Sequence, residues 1–242
     1  MNETLIWISG ASNGIGQAMV QTVPWKGARV IGISRSDVRG AEHLAADLGG
    51  SSGWATVGKS FRRELADFAG GRVIFVHAAG TLQPIGFAGE VDPDPYSANV
   101  LLNSAAPQIL GHLFLAAARD VSADRHLVML TSGAARSVYP GWTSYGAGKA
   151  ALDQWIRTAG AEQYIRGGVQ VLAVAPGTVQ TDMQRRLRDA PVDQFPQRQK
   201  FVELHDEDKL SDPIEVATKI WGLLANGLDN GSVIDLRDLP PC

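Results

Sequence analysis

Ser132, Tyr145 and Lys149 are the residues whose types and spacing most directly offer chemistry. Tyr145 and Lys149 stand four apart in Tyr145-Gly146-Ala147-Gly148-Lys149, and on a helix positions i and i+4 share a face. A free phenol loses its proton near pH ~10. A neighbouring ammonium favours the phenolate and pulls that pKa towards working pH. A tyrosine tuned in this way gives a proton to a carbonyl oxygen during reduction, or takes one from an alcohol during oxidation. Ser132 closes an apolar run upstream, and its hydroxyl is suited to hold the same oxygen by a hydrogen bond. A Tyr and a Lys four apart are common by chance; following a Ser-ended run, downstream of a glycine-rich turn, they are far less so.

That turn is Gly10-Ala11-Ser12-Asn13-Gly14-Ile15-Gly16, directly after the first apolar run. Glycines there let the backbone turn tightly and come close to a phosphate, and a following helix presents bare N–H groups and a positive dipole end to the anion. The spacing is G-x-x-x-G-x-G rather than the commoner G-x-G-x-x-G, and a plain strand–turn–helix would use glycines as well. The second apolar run ends at Ser34-Arg35-Ser36, with no carboxylate where an NAD site places one for the ribose 2′-hydroxyl. The planar fork of Arg35 suits a 2′-phosphate, which points to NADP(H). Asp37, close by, keeps NAD open.

The elements that must position these groups are legible as short apolar runs separated by helical stretches. The runs are Leu5–Ile8, Val30–Ile33, Trp54–Val57, Val73–Val76, Leu127–Leu130, Val169–Val174 and Ser232–Leu236. Continuous apolar runs indicate strands covered on both faces, and their alternation with helices indicates βαβ units. The expected fold is α/β: a single Rossmann-type, doubly wound domain over 1–242 with a mostly parallel, seven-stranded sheet. The longest helix is expected from Tyr145 to Arg166, stopped by Gly167-Gly168. Residues 182–212 are charged, carry Pro191 and Pro196, and are long for a plain connection, so they read as a substrate loop with some helix of its own.

Over essentially its whole length the chain resembles the short-chain dehydrogenase/reductase family. The glycine turn, His77-Ala78-Ala79-Gly80, Ser132 with Tyr145 and Lys149, and Pro176-Gly177-Thr178-Val179-Gln180-Thr181-Asp182 carry the resemblance. It implies a catalytic tetrad completed by an Asn on the preceding long helix, placed at Asn103 by register with Ala106-Pro107, with Asn99 as the rival. That Asn would hold a water linking Lys149 to solvent, and Lys149 would also bond the nicotinamide ribose. The resemblance further implies cofactor contacts from Gly10, Ser12, Asn13, Gly14, Ile15, Gly16, Ser34, Arg35, Ala79, Gly80, Tyr145 and Lys149. Pro176, Gly177 and Val179 would cover the nicotinamide, and Thr181 would meet its carboxamide or phosphate. Two departures stand out. His77-Ala78 replaces the usual pair of asparagines, and Val57-Gly58-Lys59-Ser60 offers no adenine-binding Asp after the presumed third strand. His77 reads as structural.

Within the family, Tyr139-Pro140-Gly141-Trp142-Thr143-Ser144-Tyr145, Thr181-Asp182-Met183-Gln184, the loop carrying Val192-Asp193 and Lys209-Leu210, and Gly231–Asp238 are similar to the sepiapterin reductase and benzil reductase branch. This implies a substrate pocket with Ser132 and Tyr145 at the reacting carbonyl, Tyr139 and Trp142 as walls and Asp235 as a pterin anchor. Asp235 reads equally well as a residue that closes the last strand or pairs with an arginine at a subunit contact. The activity implied is NADPH-dependent reduction of a ketone, an α-dicarbonyl or a pterin side chain. An NAD-dependent alcohol dehydrogenase and a non-catalytic cofactor-binding regulator on the same fold are the competing readings.

Composition agrees with a globular enzyme: 45% of the 242 residues are hydrophobic and 19% charged, outside the disordered range. A net charge of -3 argues against nucleic acid or anionic lipid as partner. The single cysteine, Cys242, excludes an intrachain disulfide and fits a reducing, cytoplasmic setting. The Met1-Asn2-Glu3-Thr4 start lacks a basic n-region, and the apolar run after it is too short for a signal peptide or span. No metal set is expected, and a homodimer or homotetramer is.

Overall fold

The computed structural model describes residues 3–225 and 227–239; Cys242 and the Met1-Asn2 start lie outside them. Strands β1 (Thr4–Ser9), β2 (Arg29–Ser34), β3 (Glu42–Ala45), β4 (Arg72–His77), β5 (Asp124–Leu130), β6 (Gln170–Ala175) and β7 (Val233–Asp235) form one seven-stranded sheet in the order β3-β2-β1-β4-β5-β6-β7, every pairing parallel. Side chains alternate across each strand. On β1, Leu5 and Trp7 enter one core with Phe61, Phe114, Leu152 and Ile156, while Ile6 and Ile8 enter the other with Met19, Val216, Ile220 and Trp221. Helices α2 (Ser51–Leu65), α4 (Ala106–Ala117) and α5 (Thr143–Arg166) supply the first layer. Helices α1 (Gly14–Gln21) and α8 (Pro213–Leu223) supply the second. Both faces are covered, which is why most strands read as unbroken apolar runs.

The third strand is a correction. Trp54–Val57 lies inside α2, and the strand is Glu42–Ala45. Gly53, Val57, Phe61 and Leu65 are buried at a spacing of four, the signature of one helical face. The β3 strand escapes notice because it is the sheet edge: its residues are exposed or half-buried and need no apolar run. One consequence is that the carboxylate following the true third strand is Asp47, whose Oδ1 accepts from the Gly49 N–H at 2.9 Å.

Chain order reverses between β1 and β4, whose last residues Ser9 and His77 are register partners. The turns leaving those strands open a crevice at their carboxyl ends, the place where open α/β sheets bind ligands. The continuous helical stretch Pro93–Ala117, formed by α3 (Pro93–Val100), a π-helical turn (Leu101–Ala105) and α4, is long and apolar enough by composition to cross a membrane. Its Leu110 and Phe114 are instead buried in the core beside α2 and α5. Residues 182–212 contain α6 (Asp182–Arg188) and α7 (Arg198–Asp206), in agreement with a loop carrying its own helix.

Candidate active site

The glycine turn is shaped as its composition demands. Gly10 has φ 68° and Gly14 φ 53°, a region that L side chains rarely adopt. A Cβ on Gly10 would lie 2.9 Å from the Ala79 backbone, and one on Gly16 would lie 2.3 Å from the Gly10 carbonyl oxygen. The turn from β1, the Ala78-Ala79-Gly80 turn from β4 and the first turn of α1 are therefore locked together with no room for side chains. His77 holds this corner. The Ser9 hydroxyl accepts from the Ala78 and Ala79 N–H groups at 3.1 and 3.2 Å, leaving its own proton to donate to His77 Nδ1 at 3.0 Å. Full burial, with the Lys149 charge adding, pushes the His77 pKa down to about 3, so the ring is neutral and structural.

Tyr145 and Lys149 stand on the first turns of α5, and both are buried. Lys149 Nζ donates to the Leu130 carbonyl at 2.8 Å and lies 5.8 Å from the Tyr145 ring centroid. Ser132, two residues beyond the end of β5, accepts from the Ala134 N–H at 3.2 Å and lines the same cavity as Tyr145. The electrostatics differ from the expectation that Lys149 draws the Tyr145 pKa down. Burial pushes Tyr145 up, opposed by the Ser132 hydroxyl, and pushes Lys149 down to about 8, opposed by the Asp153 carboxylate. Burial sets the direction for Tyr145, away from the phenolate.

Asn103 lies in the π-helical turn, a device often found at functional sites. Its Oδ1 accepts from the Thr81 N–H at 3.1 Å, and its Nδ2 donates to the Thr81 carbonyl at 2.7 Å and to Asn99 Oδ1 at 2.9 Å. Asn99 in turn donates to the Gln83 carbonyl at 2.7 Å, so the two candidates form one clamp on the segment after β4. Pro107 has no N–H to offer the Asn103 carbonyl four residues earlier. A Cβ on Gly148 would lie 3.4 Å from that oxygen. These two small or donor-less neighbours bring the Asn103 backbone beside Lys149.

In front of Tyr145 lies a cavity of about 260 Å³. Tyr139 and Trp142 line it as expected, with Leu187 and Phe201 of the α6–α7 segment opposite. Trp142 stacks on Phe195 at 4.8 Å and 23°. With seven and nine residues, α6 and α7 are too short to persist alone, so this aromatic cluster is what holds the lid. Asp235, open between anchor and structural residue, is engaged within its own chain. It is buried, bonded by the Arg237 Nε and Nη2 at 2.9 and 2.6 Å and approached by Arg136 at 3.5 Å, and it does not line the cavity. A carboxylate in contact with two guanidiniums on its own chain has no free edge with which to anchor a pterin. Arg237 lines the cavity instead. Asp235→Asn is therefore expected to lower stability by roughly 1.5–3 kcal/mol, the loss of a charge-assisted contact. Arg237 holds the Asp235 pKa below its usual value, so this contribution exists at neutral pH and fades as pH falls through the depressed folded pKa. Urea titrations at pH 7 and pH 3 check this; equal stability of variant and parent at pH 7 contradicts it.

The profile of the short chain dehydrogenase family matches residues 4–191. The chain belongs to this family. Among its relatives, a benzil reductase ((S)-benzoin forming) from Bacillus subtilis (strain 168) is 31% identical over 96% of this chain and 97% of its own length. A sepiapterin reductase from Bos taurus is 28% identical over 98% and 96%. A short chain dehydrogenase/reductase from Saccharomyces cerevisiae, at 24% identity and TM-score 0.83 over 97% of this chain and 96% of that one, shares the fold.

A dehydrogenase of this fold binds a nicotinamide dinucleotide, and the residues present fit one. A crevice lined by Gly10, Gly14, Gly16, Gly80, Lys149 and Thr181 runs from the glycine turn to Tyr145, and a side chain at Gly10 or Gly16 would obstruct its floor. Asn13, Ile15, Ala79 and Pro176 line the same crevice, and Gly177 and Val179 line the substrate cavity beyond it. At the far end, Ser12 and Asn13 share a recess with Ser36, Asp37 and Arg39. Arg35 stands exposed at the end of β2, and the Ser34 hydroxyl is spent on the Ser36 carbonyl and so braces its own loop. Asp37 pairs with His43 at 3.3 Å. Sequence reasoning missed Arg39, Asp47, Lys200 and Arg237. The first lies in the same basic loop as Arg35; the last lies inside the segment that drew attention to Asp235.

Proposed function

We propose that the chain is an NADPH-dependent carbonyl reductase acting on a ketone, in the first place an α-dicarbonyl of the benzil type. The observation that carries this reading is the buried Tyr145, standing with Ser132 on the wall of a cavity that Tyr139, Trp142 and Phe201 also line. A bound dihydronicotinamide supplies the hydride. Ser132 holds the carbonyl oxygen, and Tyr145 delivers the proton to the alkoxide forming there. Lys149 and the Asn103 turn replace that proton from solvent. Burial favours the protonated phenol, the form from which reduction starts. The pterin variant loses support because Asp235 is engaged with Arg237. The intact Ser132, Tyr145 and Lys149 argue against a non-catalytic regulator. NADPH and NADH consumption across a panel of α-diketones and sepiapterin tests the proposal; no consumption of either cofactor with any ketone refutes it.

The preference for NADPH rests on Arg35 directly after β2, on Arg39 in the recess beside Ser12 and Asn13, and on the pairing of Asp37, the carboxylate of that recess, with His43. Arg35→Ala is expected to weaken NADPH binding about tenfold to a hundredfold, the loss of a charge-assisted contact to phosphate, and NADH binding far less. Fluorescence titration with both cofactors decides; equal losses remove Arg35 from the role. We also read the protein as a cytoplasmic homodimer or homotetramer, supported by apolar Val100, Leu101, Tyr164 and Ile165 standing exposed on α3, the π turn and α5. Sedimentation at the mass of a single 25.8 kDa chain would overturn that.

A further inference from the structure

We propose that the ketone this site is built for carries a carboxylate, held by Arg237 with Lys200 at the mouth of the cavity. The inference rests on the carbonyl-reductase reading and names its substrate class. Two cationic side chains line the substrate cavity, Arg237 and Lys200, and no Asp or Glu does among the described residues. Arg237 is seated rather than loose. Its Nε and Nη2 bond Asp235, its Cγ and Cδ pass 3.3 and 3.4 Å from where a Cβ on Gly177 would be, and its Nη2 lies 3.2 Å from the corresponding point on Gly133. A Cβ at Gly133, the residue after Ser132, would crowd the Nη2 of the half-exposed guanidinium. The fork is thus fixed beside the carbonyl-holding serine. Two of its five N–H donors are used on Asp235, and no acceptor among the described residues bonds Nη1.

The local charge is positive. Asp235 is shared by Arg237 and Arg136, and Asp238 also acts on Arg237, so with Lys200 counted one cationic charge remains. Lys200 donates to the Tyr139 hydroxyl at 3.1 Å and lies 5.3 Å from that ring's centroid, which aims it across the aromatic wall. A neutral diketone needs an apolar pocket only. An arginine braced by a buried carboxylate, with its free donors beside the reacting centre, is the arrangement that recognises a planar anion.

The test compares benzoylformate with its methyl ester, which present the same aryl ketone with and without the charge, in the parent, Arg237→Gln and Lys200→Gln. The quantity read is the ratio of kcat/KM for acid over ester. Removing one charge-assisted contact is expected to lower that ratio roughly tenfold to a hundredfold in Arg237→Gln, and by a smaller factor in the same direction in Lys200→Gln. Lys200 is exposed and takes no part in the Asp235 cluster, so its variant keeps the test open if Arg237→Gln misfolds. Binding of benzoylformate, followed by quenching of Trp142 fluorescence with Trp142→Phe as control, gives a readout independent of turnover. An unchanged ratio in both variants, or a loss of NADPH affinity in place of a loss for the acid, overturns the proposal while leaving the reductase reading intact. Tight, Arg237-dependent binding of the acid with no reduction of any ketone would support the anion site and defeat the reductase reading.

Discussion

Tyr145→Phe is expected to lower kcat for ketone reduction by roughly 10²–10⁴-fold, the usual contribution of a positioned general acid, while NADPH affinity stays within a few-fold of the parent. The ring is buried and packs edge-on against Trp142 at 5.5 Å, so phenylalanine keeps the packing and removes only the hydroxyl. Ser132 accepts from the Ala134 N–H whether or not the Tyr145 hydroxyl is present, so the variant leaves Ser132 with a partner and should fold. Single-turnover kinetics with a diketone, combined with cofactor titration, separates the two quantities. Activity within a few-fold of the parent would mean that another group supplies the proton.

Lys149→Met is expected to act in opposite directions on activity and stability. Activity should fall at least as far as in Tyr145→Phe, because the side chain is asked both to recharge the tyrosine and to hold the cofactor. Stability at pH 7 should rise. Burial lowers the Lys149 pKa from 10.5 to about 8, which at about 1.4 kcal/mol per unit amounts to about 3 kcal/mol against the charged form. Orphaning the Leu130 carbonyl offsets this by about 1 kcal/mol or more. The sign follows from proton counting. Below pH 8 the lysine is charged in both folded and unfolded chains, and the full cost is present. Between pH 8 and 10.5 the unfolded chain binds more protons than the folded one, so the parent gains stability with pH and the variant's advantage closes. Denaturant titrations of both proteins at pH 7 and pH 10 measure this directly. A variant less stable than the parent at pH 7 would make Lys149 a net structural support. The same depressed pKa places the alkaline limb of kcat/KM for reduction near pH 8, since a neutral Lys149 has no proton to pass on.

What the sequence by itself determined was whatever depends on local backbone demands and short periodicities. The glycine turn, six of the seven strands and the long helix bearing Tyr145 and Lys149 are all of this kind. A strand covered on both faces must be apolar throughout, and a turn with φ above zero and no room for a Cβ must be glycine. The edge strand Glu42–Ala45 obeys neither constraint, so nothing in its composition marked it, and Asp47 was misplaced with it. Tertiary structure alone decided the charge state of Tyr145 and the fate of Asp235. Burial is a property of the assembled layers, and it overrode the local argument that a lysine four residues away acidifies the phenol. The partners of Asp235 lie two and ninety-nine residues away, and only the folded β7 end and the turn after β5 bring Arg136 and Arg237 to one carboxylate. That convergence leaves the arginine facing the cavity and the aspartate turned from it, because a buried carboxylate is tolerated only when its charge is met.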